Sequence, residues 1–182
     1  EIDYPGCYRP ELLSTGIFRT CLALARQMRR GVSRSFDHLI YKAPGCGSTP
    51  WHQDVAFGRF SRGRYGFSDL SFWIPLQDAT IDNGCMHFIP GSHRMSLVEH
   101  RSYARRIGRA GLVVADVNEH AAVACPVPVG GVTIHTAYTL HFAGPNLTDL
   151  PRKAWIIRFS PFGQAQISLR QLVGLAPSRL RH

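Results

Sequence analysis

Lysine is nearly absent from this chain. Of 21 basic residues only Lys42 and Lys153 are lysine, and the rest are arginine. Acidic residues number 12, which leaves a net charge of +9. Such a charge can attract nucleic acid, membrane or acidic small molecules. The arginines have little aromatic interleaving, however, and make a poor platform for stacking single-stranded bases. A solvated arginine-rich surface is the plainer account. Cysteine is also sparse: Cys7, Cys21, Cys46, Cys85 and Cys125 are scattered, odd in number and form no Cys-x-x-Cys pair. That argues against a disulfide framework or a zinc knuckle and predicts a reducing, cytoplasmic setting. No apolar run reaches the roughly 20 residues that a membrane helix needs. The opening Glu1-Ile2-Asp3-Tyr4-Pro5 lacks the basic start and apolar stretch of a secretion signal. It also lacks an initiator methionine, so the chain is expected to be a fragment or a processed product. There is no βαβ rhythm, no internal repeat and no low-complexity segment.

What is present is a single globular domain of 182 residues, long enough for a sizeable core. Residues 1–10, with Pro5, Gly6 and Pro10, read as a loop. Apolar residues from Leu12 to Met28 recur at helical spacing, with a break expected near Gly16. The basic end Arg26-Gln27-Met28-Arg29-Arg30-Gly31 is a helix stop, cations followed by glycine. Strands are then expected over 36–42, 50–57, 70–76, 85–90, 127–136, 140–142 and 154–159. Residues 58–68 read as an exposed loop, and 95–122 as an irregular excursion. Within that excursion Arg101, Arg105 and Arg109 would share a helical face. A further helix is expected at 167–174. Short strands at turn-punctuated spacing after one helix predict a mainly β fold, a jelly-roll (double-stranded β-helix, cupin-like) core with a flanking N-terminal helix. The expected division is a helical flank at 1–35, the core at 36–160 and a tail at 161–182.

One short stretch carries chemistry: Trp51-His52-Gln53-Asp54. In an extended strand residues two apart share a face, so His52 and Asp54 point one way and Gln53 the other. A second imidazole from a distant strand would complete a two-histidine, one-carboxylate set that suits Fe(II) and leaves positions open. Alone the triplet is weak, since composition gives about 0.4 such His-x-Asp triplets by chance. A His and Asp simply paired at a strand end would look the same. His135 and His141 both compete for the second imidazole. The setting of His135 matches the apolar part of its strand. His93 reads as a brace for its loop, and His38 and His87 as ordinary strand residues.

Four segments in order raise the motif above chance. They are Trp51-His52-Gln53-Asp54; Trp73-Ile74-Pro75-Leu76-Gln77-Asp78 through Asn83-Gly84-Cys85-Met86; Ile89-Pro90-Gly91-Ser92-His93-Arg94; and His141-x10-Arg152 with Gly144-Pro145-Asn146 between. Together, over roughly residues 36–160, they resemble the phytanoyl-CoA dioxygenase (PhyH) family of Fe(II)/2-oxoglutarate oxygenases. The resemblance implies that His52, Asp54 and His141 are iron ligands and that Arg152 pairs with the distal carboxylate of 2-oxoglutarate. A guanidinium fork suits a carboxylate in a way that an ammonium does not. It further implies co-substrate contacts from Trp73 and Lys42, and a hydrogen bond from Thr133. Asn146 is expected to hold its turn. Ala143 stands where members often carry serine, and the N-terminal portion looks shortened.

The function expected is that of a dioxygenase using Fe(II), 2-oxoglutarate and O2 to hydroxylate or otherwise oxidise a C–H bond of a small molecule, releasing succinate and CO2. Because Asp54 is retained, no ligand position is vacated for a halide. Phe57, Phe60 and Phe67, with Arg64 and its neighbours Arg59 and Arg62, are expected to border the substrate. They would suit an apolar body carrying an acidic group, such as a natural-product intermediate or acyl derivative. Two rivals stand beside this reading. Arg152-x5-Arg158 resembles the paired arginines of alkylated-nucleic-acid dealkylases, though the His-to-Arg spacing fits the first family better. The other rival is a jelly-roll that binds a ligand without catalysis, whose expected sign, a degenerate triad, is missing. No membrane partner is expected, and the sequence is silent on oligomeric state.

Overall fold

The structure, a computed structural model, describes residues 1–57, 69–103 and 111–161. The chain opens with a two-residue strand, β1 (Ile2–Asp3), and a short helix, α1 (Pro5–Tyr8). Both lie where a loop is expected, because elements this short leave no periodicity to read. A 3-10 turn over Pro10–Ser14 precedes α2 (Gly16–Met28). The break falls at Thr15, whose hydroxyl accepts from the Phe18 N–H and caps α2. The helix ends as its sequence predicts, and Gly31 turns the chain with φ of 74°.

Eight strands follow among the described residues, in addition to a two-stranded ribbon given below. They are β2 (Val32–Lys42), β3 (Thr49–His52), β4 (Leu70–Pro75), β5 (Met86–Phe88), β8 (Val123–Cys125), β9 (Thr133–Thr136), β10 (His141–Ala143) and β11 (Arg152–Pro161), with β1 as the edge. One sheet runs β1-β2-β11-β4-β9 and the other β3-β10-β5-β8, all antiparallel. This is the expected mainly β jelly-roll. Strand β2 begins four residues earlier than expected, so the helical flank ends before residue 35. Pro75 closes β4, whose inner position between β11 and β9 is tolerated because only Leu70 to Trp73 pair with β9.

Alternation sorts the large sheet into two faces. Leu70, Phe72, Ile74, Trp155, Ile157 and Phe159 pack outward against Phe18, Cys21 and Ala25 of α2. The intervening Ser71, Trp73, Ile156 and Arg158 face the second sheet. A second cluster, Trp73, Cys85, Met86, Ala143, Ala154 and Ile156, fills the space between the sheets. Trp51, Leu140 and Val114 bury the far side of the small sheet.

Two expectations fail locally. The strand at 50–57 stops at His52, and Asp54–Phe57 forms a 3-10 turn. Its geometry is set by the Val55 N–H bonding the Ala137 carbonyl and the Ala56 N–H bonding Gln53. The arginine face expected in the excursion is not helical at Arg101. That residue lies in β6 (Arg101–Tyr103), paired with β7 (Gly111–Val113). Arg105, Arg106 and Arg109, the loop 58–68 and the helix expected at 167–174 lie outside the described residues. Among the described residues, no helix is long and apolar enough to cross a membrane. All five cysteines are free thiols.

Candidate active site

The small sheet builds half of the site. Antiparallel pairing places His141 of β10 opposite His52 of β3, with ring centroids 4.1 Å apart. The 3-10 turn after His52 swings Asp54 back, so its Oδ1 lies 3.9 Å from His52 Nε2 and 3.8 Å from His141 Nε2. One donor atom from each of the three residues falls within a 4.8 Å set. Convergence is thus reached by a turn where the sequence suggests a continuous strand. His52 Nδ1 sits 2.7 Å from the Pro50 carbonyl, and His141 Nδ1 sits 2.8 Å from the Thr139 carbonyl. Each Nδ1–H therefore donates to backbone, and each Nε2 keeps its lone pair for a ligand. Burial lowers the pKa of both imidazoles, that of His141 to well below the usual value. Both are neutral near pH 7, the state that binds metal.

Asp54 is held from behind. Its Oδ2 accepts from Arg158 Nη2 at 2.7 Å and from Ser71 Oγ at 3.0 Å. Burial alone would raise its pKa, but the Arg158 guanidinium and the flanking His135 and His141 carry it well below the usual carboxylate range. Arg158 is brought there by the register β11–β4, which sets it opposite Ser71. Gln53, fully buried, points away as expected, yet it ties the site together. Its Nε2 donates to the Tyr138 and Ser96 carbonyls, and its Oε1 accepts from the Val98 N–H. The Gln53 backbone N–H bonds His100 Nε2 at 2.9 Å. Both ligand segments are thereby clamped to one strap.

The large sheet builds the other half. Arg152 is 1 % exposed, yet its Nε and Nη1 have no hydrogen-bond partner. Its guanidinium lies 5.1 Å from the Trp73 ring centroid, within cation–π range. Burial lowers its pKa to about 10, so it remains charged at pH 7. Thr133, paired with Trp73 across β9–β4, also has a buried hydroxyl without a partner. A buried cation with open donors is costly unless an anion completes it. The donor set therefore fits a carboxylate ligand at Arg152 and a divalent cation at the His-Asp-His cluster.

Both halves line one cavity of about 380 Å³, which holds His52, Asp54, His141, Trp73 and Arg152. Phe57 lines it too, with its ring edge-on to His52 at 5.4 Å. Phe36, Ile40, Leu112, His38, Glu1 and Asp3 complete part of the wall. Phe60, Arg64 and Phe67 lie outside the described residues. Lys42 departs from expectation: its ammonium turns to the carbonyls of Ala143 and Gly144, and it is not among the lining residues. Asn146 holds its turn as expected, donating to the carbonyls of Lys42, Ala43 and Leu150. The brace expected of His93 is supplied by its neighbour. Ser92 is the buried residue, donating to the Ile89 carbonyl and accepting from the Leu140 N–H. The roles of Arg158, Ser71 and Gln53 were missed. His38, read as an ordinary strand residue, and His135, the competitor for the second imidazole, both face the cavity.

A 31 % identical relative over 126 residues is a probable alpha-ketoglutarate-dependent hypophosphite dioxygenase of Stutzerimonas stutzeri; the match covers 66 % of this chain and 42 % of that protein. A methylphosphonate hydroxylase of Gimesia maris is 27 % identical over 131 residues, covering 72 % of this chain and 46 % of that protein. The chain thus spans less than half the length of these curated relatives. Among solved structures, EvdO2 from Micromonospora carbonacea var. aurantiaca, complexed with 2-oxoglutarate, superposes with a TM-score of 0.77 at 37 % identity. That superposition covers 88 % of this chain and 66 % of EvdO2. The sequence profile of the phytanoyl-CoA dioxygenase (PhyH) family matches residues 11–154, most of the chain. The fold, the three converging donors and that match lead to one assignment: this chain belongs to the phytanoyl-CoA dioxygenase family, whose relatives here include 2-oxoglutarate-dependent dioxygenases.

Proposed function

We propose that the chain forms the catalytic core of an Fe(II)/2-oxoglutarate-dependent oxygenase acting on a small molecule. The observation that carries this reading is the pairing, in one cavity, of three converging metal donors with a buried, unpartnered arginine. When bound, iron and 2-oxoglutarate would supply the oxidation, with one oxygen atom of O2 going to the substrate and the other to succinate as CO2 leaves. His52, His141 and Asp54 Oδ1 hold the metal. Arg158 and Ser71 occupy Asp54 Oδ2, which favours one-oxygen ligation and keeps other positions open. Arg152, backed by Trp73 and Thr133, receives the distal carboxylate. The apolar wall of Phe36, Ile40, Phe57 and Leu112 keeps water from the reacting centre and faces the substrate.

Substrate choice follows from that wall. Phe36, Ile40, Phe57 and Leu112 give the lining its apolar surface, and Glu1, Asp3 and His38 add polar groups. A natural-product intermediate or acyl derivative fits such a surface. Hydroxylation is the simplest outcome, and an intact aspartate ligand argues against halogenation. The same donors argue against a binding module without catalysis, which has no need of an ordered metal triad.

Anaerobic titration with Fe(II) and 2-oxoglutarate tests the reading. A weak visible charge-transfer band saturating at one equivalent of each is expected. Stoichiometric iron without any band would overturn the co-substrate assignment.

A further inference from the structure

His135 is the feature that the reading above leaves unused. Its side chain is 4 % exposed, and it lines the cavity from β9. Neither Nδ1 nor Nε2 has a hydrogen-bond partner. A buried ring with both nitrogens unpaired demands an explanation, since each such group gives up its hydrogen bonds to water without replacement. Asp54 provides it only in part. His135 Nε2 lies 3.7 Å from Asp54 Oδ2, close enough to favour the carboxylate but too long for a full hydrogen bond. That oxygen already accepts from Arg158 and Ser71. Nor does His135 belong to the set of three converging donors.

Its position suggests the partner. Thr133 and His135 are two apart on β9 and share its inward face. Thr133 stands opposite Trp73, which carries the Arg152 guanidinium on its ring. His135 stands opposite Ser71, and its ring centroid is 4.5 Å from that of His141. Unsatisfied polar atoms therefore run from Arg152 through Thr133 to His135 beside the metal donors. Two residues along a strand cover about 6.6 Å. The end carbons of an extended five-carbon diacid are about 5 Å apart, a comparable span, although Thr133, unlike His135 and Arg152, is not among the residues lining the cavity.

Resting on the assignment of this cavity to 2-oxoglutarate, we propose that His135 binds the keto-acid end of the co-substrate. One ring nitrogen donates to the carboxylate next to the keto group, while Arg152 and Thr133 hold the distal carboxylate. Recognition is thus divided between two ends that are held by different residues.

Calorimetry on the Fe(II)-loaded full chain without oxygen tests the division with three probes. 2-Oxoglutarate offers both ends, pyruvate only the keto acid, and succinate no keto group. His135→Phe should weaken 2-oxoglutarate and pyruvate by about tenfold, the loss of one hydrogen bond to a charged group. Succinate should change by less than twofold, and iron stoichiometry should stay at one. His135→Gln, which restores a donor, should recover most of the loss. Unchanged 2-oxoglutarate affinity in His135→Phe would overturn the proposal, as would equal losses for all three probes. Lost iron in both variants would make His135 a metal ligand instead. If wild type binds iron but none of the probes, the functional reading fails as well, an outcome distinct from a defect confined to the variants.

Discussion

The two ends of the cavity are built on opposite plans. At the metal end every group is already oriented: both Nδ1 atoms bond backbone carbonyls, and Asp54 Oδ2 is held by Arg158 and Ser71. At the Arg152 end the donors stand open, with Arg152 Nε and Nη1 and Thr133 Oγ1 unpartnered, and His135, beside the metal donors, is open at both nitrogens. The first end is preorganised by the protein, as a metal site would require. The second stores an unsatisfied demand that only an anion meets. The difference also separates the two kinds of residue that mutation should expose. Those at the metal end govern metal affinity, and those at the other end govern co-substrate affinity.

Removing the shared ligand should have the largest effect. Asp54→Ala takes one metal donor away and leaves Arg158 buried without its carboxylate. Succinate formation should vanish, iron should fall well below one equivalent, and stability should drop by about 3 kcal/mol. Activity persisting in this variant would refute the ligand assignment. Arg152→Ala comes next. Losing a two-pronged charged contact should raise the 2-oxoglutarate Kd about 100-fold, with iron binding intact. A loss of iron binding there would erase the contrast between the ends. Arg158→Gln should be milder. The Asp54 support weakens, so metal affinity falls by at least about tenfold, while the 2-oxoglutarate Kd at saturating metal moves little. A larger shift in 2-oxoglutarate than in iron would assign Arg158 to the wrong end.

The contrast also marks what could be read from the amino-acid order. His52, Asp54, His141 and Arg152 were legible because each sits in a short pattern with a fixed interval. Strands β4 and β10 were legible from apolar runs bounded by turn residues. The turn at Asp54 was not, because Asp-Val-Ala-Phe has no glycine or proline to stop a strand and becomes a 3-10 turn with the Val55 N–H bonded to Ala137, far away in sequence. Arg158 and His135 were illegible for a related reason. Each reaches the site through the register of β11, β4 and β9, which pairs Ser71 with both of them. No local pattern encodes a register between strands more than sixty positions apart. Lys42 shows the converse case, in which a plausible position is satisfied by nearby carbonyls.

A pH experiment sharpens the comparison further. Asp69, 2 % exposed with Oδ1 unpartnered, has its pKa raised from 3.8 to about 7 by burial, offset in part by Arg158 and reinforced by Asp54. The folded state keeps a proton there that the unfolded chain has released. Its contribution therefore lowers stability as pH rises from about 4 to 7 and is constant above that. His52 and His141 act in the opposite sense, since burial lowers their pKa and they cost stability as pH falls below about 6.5. Asp69→Asn isolates the first slope. Relative to wild type it should gain stability between pH 5 and 8 in urea unfolding, by up to about 3 kcal/mol. A pH-independent difference would mean that Asp69 is ionised throughout.

The smallest effect should come from outside the cavity. Thr15 caps α2, and that helix meets only the outward face of the large sheet through Phe18, Cys21 and Ala25. Thr15→Ala leaves the Phe18 N–H without its side-chain acceptor, which should cost about 1 kcal/mol. For a domain of this size that is a fall of roughly 2–4 °C in Tm. The central strands β4 and β11 between the helix and the cavity are paired on both sides over most of their length, so the loss should not travel through them. Iron stoichiometry and the 2-oxoglutarate Kd are expected to match wild type within error. If the Kd shifts along with Tm, the outward and inward faces of the sheet are coupled. The open donors at Arg152 would then owe their placement to the packing of α2 as well as to strand register.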